Sequence, residues 1–121
     1  MAKLLIAAES ELLGSILTET YTAYEVHSCH NGSEALALLE TLRPDIFIVE
    51  LSLPVICGLT VLQTASYKPP VILALTNLMT NHVLQAAAQA GVQALLFMPC
   101  TAQSIIARLD ALTKKAPSSE G

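Results

Sequence analysis

Short runs rich in valine, isoleucine and leucine alternate along this chain with segments whose apolar residues recur at helical spacing. That alternation limits the fold more than any single motif does. Lys3 to Ala8 (KLLIAA) is an apolar run ended by Glu9 and Ser10, after which Leu12, Leu13, Ile16 and Leu17 fall at helical spacing. Tyr24 to Cys29 makes a second, more polar strand suited to a sheet edge, and His30-Asn31-Gly32-Ser33 supplies a turn and a helix cap. The helix that follows runs to about Arg43, buries Ala35, Leu36, Leu39 and Leu42, carries Glu34 in its first turn and is stopped by Pro44. Ile46 to Val49 (IFIV) and Val71 to Leu75 (VILAL) are unbroken apolar runs, the pattern of central strands covered on both faces, with a short helix from about Leu59 to Ala65 between them. Thr80 to Ala90 reads as an Ala-rich helix stopped by Gly91, and Gln93 to Met98 as the last strand. Ala102 to Thr113 is the last helix, with Ile105, Ile106, Leu109 and Leu112 facing inward and Lys114 and Lys115 near its negative end.

Five strands and five helices in βα order imply an α/β fold, a flavodoxin-like doubly wound five-stranded parallel sheet of order 2-1-3-4-5. Residues 1–115 form one domain, and 116–121 (APSSEG) have the composition of a linker-like tail. Charged residues make up only 13% of the chain, against a usual share of about 25%, so too few charges remain to coat every helix. That shortage points to a partly apolar contact surface for a protein partner. A net charge of −4 argues against nucleic acid as a direct ligand. No apolar run approaches the roughly 18 residues needed to span a bilayer, and the cytoplasm is the expected location. Cys29, Cys57 and Cys100 are widely spaced and form no CxxC pair, and the histidines lack ligand spacing, so neither a disulfide framework nor a zinc site is indicated. Neither GxSxG, GxGxxG nor GxxxxGK[ST] occurs, which leaves hydrolase, dinucleotide and P-loop chemistry without a setting.

In a doubly wound sheet, chemistry belongs at the carboxyl ends of the strands. Those ends carry Ala8 and Glu9 after the first strand, Glu50 after the third, Thr76 after the fourth, and Met98 and Pro99 after the fifth. With the LxLPxxxGL block from Leu51 to Leu59, the ALT before Asn77 and the Gly91-initiated strand ending in Pro99, the pattern resembles bacterial response-regulator receiver domains, CheY-like proteins of two-component signal transduction and phosphorelays. The resemblance runs from Lys3 to about Leu112.

In that family an acidic pair after the first strand holds Mg²⁺, an Asp after the third takes the phosphoryl group, a Thr or Ser after the fourth hydrogen-bonds it, and a Lys before the Pro neutralises it. Phosphoryl transfer needs this charge compensation more than covalent machinery. Here Ala8 stands in one acidic position beside Glu9, Glu50 replaces the Asp, Met98 replaces the Lys, and Leu95 occupies the aromatic switch position, while Thr76 is kept. The resemblance therefore implies a degenerate or pseudo-receiver variant with no catalytic residues and weak or absent Mg²⁺ binding. It also implies a cis Met98-Pro99 bond. Such a domain is expected to act by phosphorylation-independent protein contact, on an attached or partner output domain that can be DNA-binding in transcription regulation. A homodimer through the fourth helix, fifth strand and fifth helix is the expected assembly. The alternative from another class is a flavodoxin-like small-molecule sensor that uses the vacated strand-end pocket.

Overall fold

The apolar runs pair as the alternation requires. In this computed structural model, which describes residues 2–118 and side chains through residue 113, the elements follow in the order β1 (Lys3–Ala7), α1 (Glu11–Thr20), β2 (Glu25–Cys29), α2 (Gly32–Leu42), β3 (Ile46–Glu50), α3 (Gly58–Thr64), β4 (Val71–Thr76), α4 (Asn81–Gln89), β5 (Ala94–Phe97) and α5 (Ala102–Ser118). The five strands are all parallel and lie in the order β2-β1-β3-β4-β5. Alternate residues of each strand point to opposite layers. Leu5, Ala7, Phe47, Val49, Ile72 and Ala74 meet Ala35 and Leu39 of α2 and Val61 and Leu62 of α3. Leu4, Ile6, Ile46, Ile48, Leu73 and Leu75 meet Leu17 of α1 and Ile105 and Leu109 of α5. A side chain of this size stabilises the fold by roughly 1.5–3 kcal/mol when fully buried, so the two layers carry most of the driving force.

The local signals place the helix ends. Ser10 accepts from the Leu12 N–H, Asn31 from the Glu34 N–H and Thr80 from the Val83 N–H, so each caps a helix whose first N–H groups have no partner within it. Arg43 adopts a left-handed conformation (φ 50°) at the C-cap of α2, just before Pro44. Helix α4 buries only Ala87 fully, with Val83 packed partly against the sheet. Helix α5 runs past the expected end at Thr113 to Ser118; Lys114, Lys115 and Ala116 are good helix formers, whereas Pro117 is a poor one and its inclusion has no explanation in propensity. The helix thus takes in the first three residues of the linker-like tail. Ser119 to Gly121, and the side chains of Lys114 and Lys115, lie outside the described residues.

The loop between β3 and α3 is set by backbone approach. The Gly58 N–H bonds to the Leu51 carbonyl at 3.0 Å, and a Cβ at Gly58 would collide with the backbone of Glu50. The Gly32 N–H bonds to the Pro54 carbonyl at 3.1 Å, and a Cβ there would collide with the backbone of Ile56. Between them the Ile56 N–H returns to the Pro54 carbonyl at 2.8 Å across Val55, whose φ is 71°. This is a γ-turn with a positive central φ, a strained form made more so by a β-branched residue. Val55 is also 78% exposed, so no packing compensates it.

Two substitutions test this account by urea unfolding. Gly58→Ala is expected to destabilise the domain by about 3 kcal/mol, since backbone must move to admit the methyl group. Val55→Asn is expected to stabilise it by about 1 kcal/mol, because Asn tolerates a positive φ.

Candidate functional site at the carboxyl ends of the strands

Because every strand is parallel, all the loops that leave a strand for a helix emerge at one edge of the sheet. Glu50 is the last residue of β3, paired in register with Leu75, and it is 7% exposed, the one buried ionisable side chain of the central strands. Its Oε1 accepts the backbone N–H of Glu9 at 3.0 Å, which ties β3 to the loop after β1. The contact uses the main chain of Glu9 and leaves its side chain exposed. Among the described residues no Lys or Arg forms an ion pair with Glu50, and both ion pairs present involve histidine, His27 with Glu25 and His30 with Glu11.

The neighbouring positions fall as the strand ends dictate. Ala8 is buried, donates its N–H to the Cys29 carbonyl at 3.1 Å and presents its own carbonyl to His30 Nδ1 at 3.0 Å. The other nitrogen of His30 lies 3.7 Å from Glu11, so this ring straps the end of β2 to the β1–α1 loop. Nothing in the sequence spacing marked His30, because its partner is a backbone carbonyl. Thr76 is 4% exposed, and its hydroxyl both accepts from the Leu78 N–H (3.0 Å) and donates to the Leu78 carbonyl (3.1 Å), which commits it to its own loop. Met98 donates its N–H to the Thr76 carbonyl at 2.7 Å and lays its side chain on the layer formed with α1 and α5. The Met98-Pro99 bond is cis, as expected. Leu95 is half-buried against the opposite layer and does not join this group.

Two thiols stand on the same edge in contrasting settings. Cys57 is the N-cap residue of α3, and its Sγ lies 3.2 Å from the Thr60 hydroxyl, whose polar contact, followed by the nearby backbone N–H groups of the helix start, holds the thiol pKa below its usual range. The sequence offers no cation near Cys57 and so gave no reason to expect activation. Cys100 is pushed the other way, first by burial and then by the negative charge of Glu50. Cys29, inside the sheet, is raised to about 11 by burial and by Glu34. Cys57 also borders a cleft of about 170 Å³ between the β3–α3 and β4–α4 loops, walled by Leu51, Leu59, Leu78 and Val83.

A five-stranded doubly wound sheet with an acidic strand-end edge and a cis proline after the last strand defines a flavodoxin-like signalling domain. Residues 7–110 match the family model described as the response regulator receiver domain, and the chain belongs to that family. It is 34% identical over 99 residues, 76% of its length, to the protein-glutamate methylesterase/protein-glutamine glutaminase 3 of Rhodospirillum rubrum. It is also 24% identical over 100 residues to the transcriptional regulatory protein TrcR of Mycobacterium tuberculosis. The chain spans 27% and 38% of the lengths of these two proteins. Among solved structures, the Vibrio cholerae chemotaxis protein CheY4 superposes with a TM-score of 0.77 at 27% identity, over 91% of this chain and 97% of that one. A CheY-like receiver domain protein from Methanospirillum hungatei shares the fold with a TM-score of 0.81 at 18% identity, over 100% of this chain and 99% of that one. No helix among the described residues is long and apolar enough to cross a membrane.

Alkylation by iodoacetamide, followed by mass spectrometry, reads the thiol settings directly. Cys57 is expected to react first, Cys100 more slowly and Cys29 last. Thr60→Val should slow Cys57, and Glu50→Gln should speed Cys100 by removing the charge that opposes its thiolate.

Proposed function

We propose that this receiver domain regulates by protein contact without phosphorylation at the third strand, as a degenerate member of its family. The observation that carries this reading is the state of Glu50. Its carboxylate is buried, one oxygen is engaged by the Glu9 N–H, and no cation among the described residues stands beside it. A transferred phosphoryl group would bring further negative charge into the same space, where electrostatic compensation decides the rate. Met98 supplies an apolar side chain where receiver domains carry a lysine, and the Thr76 hydroxyl is already paired within its loop.

Magnesium fits the residues poorly. A hard octahedral cation asks for several oxygen donors, whereas Ala8 offers a methyl group and Glu50 already gives one oxygen to an N–H. No cluster of three or more metal-ligating side chains with suitable geometry occurs among the described residues. The domain is accordingly read as non-catalytic and independent of a metal cofactor.

Its output is read as a contact with a partner or an attached domain, of the kind the name of the regulatory relative TrcR suggests. The surface that favours self-association is α4 with β5 and α5. Helix α4 carries no Lys, Arg, Asp or Glu, and a groove between it and β5 is lined by Leu84, Ala87, Ala88, Val92, Ala94 and Leu95 together with the polar Gln93. A homodimer formed there is more apolar than one built on ion pairs. The small-molecule reading is weaker, since the strand-end cleft of about 170 Å³ falls short of the roughly 300 Å³ at which ligand pockets usually begin.

Incubation with acetyl phosphate and Mg²⁺, followed by intact mass measurement, is expected to leave the protein unmodified. A stoichiometric phosphoryl adduct on Glu50 would overturn the proposal. Separately, Leu84→Glu is expected to lower the mass measured by light scattering at high concentration to that of a monomer.

A further inference from the structure

The charges of this chain are distributed unevenly along the strand axis. Glu9 and Glu11 lie in and after the β1–α1 loop, Glu34 in the first turn of α2 and Glu50 at the end of β3, so all four occupy the carboxyl edge of the sheet. The chain has ten carboxylates and six lysines and arginines; the other six carboxylates and the six cations cancel. These four residues therefore account for the whole formal net charge of −4. The cations lie elsewhere in the chain, with Lys3 opening β1, Arg43 and Lys68 preceding β3 and β4, and the rest along α5.

The same edge holds four of the six large exposed apolar side chains among the described residues, the other two being Leu84 on α4 and Phe97 at the end of β5. Leu12 is 66% exposed at the start of α1, Val55 projects from the strained turn, and Leu78 and Met79 are exposed in the β4–α4 loop. Exposed apolar residues scattered singly need no explanation, but here they surround one acidic edge from three separate loops. At its centre lies Glu50, 7% exposed, whose second carboxylate oxygen accepts from no group of the described residues.

We infer that the carboxyl edge is a docking surface for a protein segment that carries lysine or arginine between apolar side chains, with a cation of that segment set against Glu50. The inference rests on the phosphorylation-independent reading and names the partner chemistry that reading leaves open. Charge complementarity selects the occupant. Nucleic acid and anionic lipid would meet four carboxylates and no local lysine or arginine, whereas a cationic segment gains from each of them. The apolar residues restrict the partner further, because a segment with charge alone would leave Leu12, Val55, Leu78 and Met79 uncovered.

The test uses the full chain, labelled with ¹⁵N, and three synthetic peptides of equal length: Lys alternating with Leu, Lys alternating with Gly, and Glu alternating with Leu. The Lys/Leu peptide is expected to shift the amide signals of residues 9–12, 50–56 and 77–79, to bind about tenfold or more tightly than either other peptide, and to weaken by about tenfold in Glu50→Gln. Glu11→Gln and Leu12→Ser change exposed side chains only, so they keep the test valid if Glu50→Gln fails to fold; each should weaken binding several-fold. Equal binding of the Lys/Gly peptide, shifts confined to α4 and β5, unchanged affinity in the variants, or no binding would each overturn the inference. A phosphoryl adduct from acetyl phosphate is read independently of the peptides, so loss of the functional reading and loss of the docking surface are distinguishable.

Discussion

The parallel pairing of β3 between β1 and β4 is the constraint on which the remaining geometry depends. Ile46 to Glu50 is buried along its whole length, and its register sets Val49 against Ala7 on one side and Glu50 against Leu75 on the other. Because side chains alternate with a period of two, a slip of one residue would move Phe47 and Val49 to the wrong layer. The two-layer core therefore fixes where β3 stops, and where it stops fixes Glu50. From that point the loop can close only by bringing Gly58 onto the backbone of Glu50 and Gly32 onto that of Ile56.

Much of this is legible in the residues themselves. Unbroken apolar runs at Ile46 to Val49 and Val71 to Leu75 announce central parallel strands, and Pro54 and Gly58 mark the loop between β3 and α3. Side-chain chemistry has a sequence signature, so the convergence of Glu50 and Thr76 at one edge could be anticipated. Main-chain chemistry has none. The Glu9 N–H that meets Glu50 and the Ala8 carbonyl that meets His30 belong to residues of any type. Val55 was illegible for the opposite reason, since its β-branched side chain argues against the left-handed conformation that the neighbouring hydrogen bonds impose.

The site also separates packing from chemistry. Ala8 and Met98 continue the apolar layer shared with α1 and α5, extending a core formed by Leu4, Ile6 and Ile48. Apolar side chains at the rim of a core cost the fold little, because they need no hydrogen-bond partner. Glu50 is the exception that keeps a charge inside. A single N–H compensates a buried carboxylate only partly, which leaves the strand-end edge electrostatically unfinished.

The alanine-lined inner side of α4 has a mechanical consequence. Large interdigitating side chains hold a helix in one register, because sliding would drive each knob out of its socket. Ala87 is the only side chain α4 buries completely, and exchanging one methyl contact for another costs about 0.8 kcal/mol or less. The helix is thus seated on a smooth bearing, anchored at one end by the Thr80 cap and along its length by Val83 and little more. Movement along that bearing would change the width of the groove beside β5, giving this domain a soft coordinate that does not depend on covalent modification.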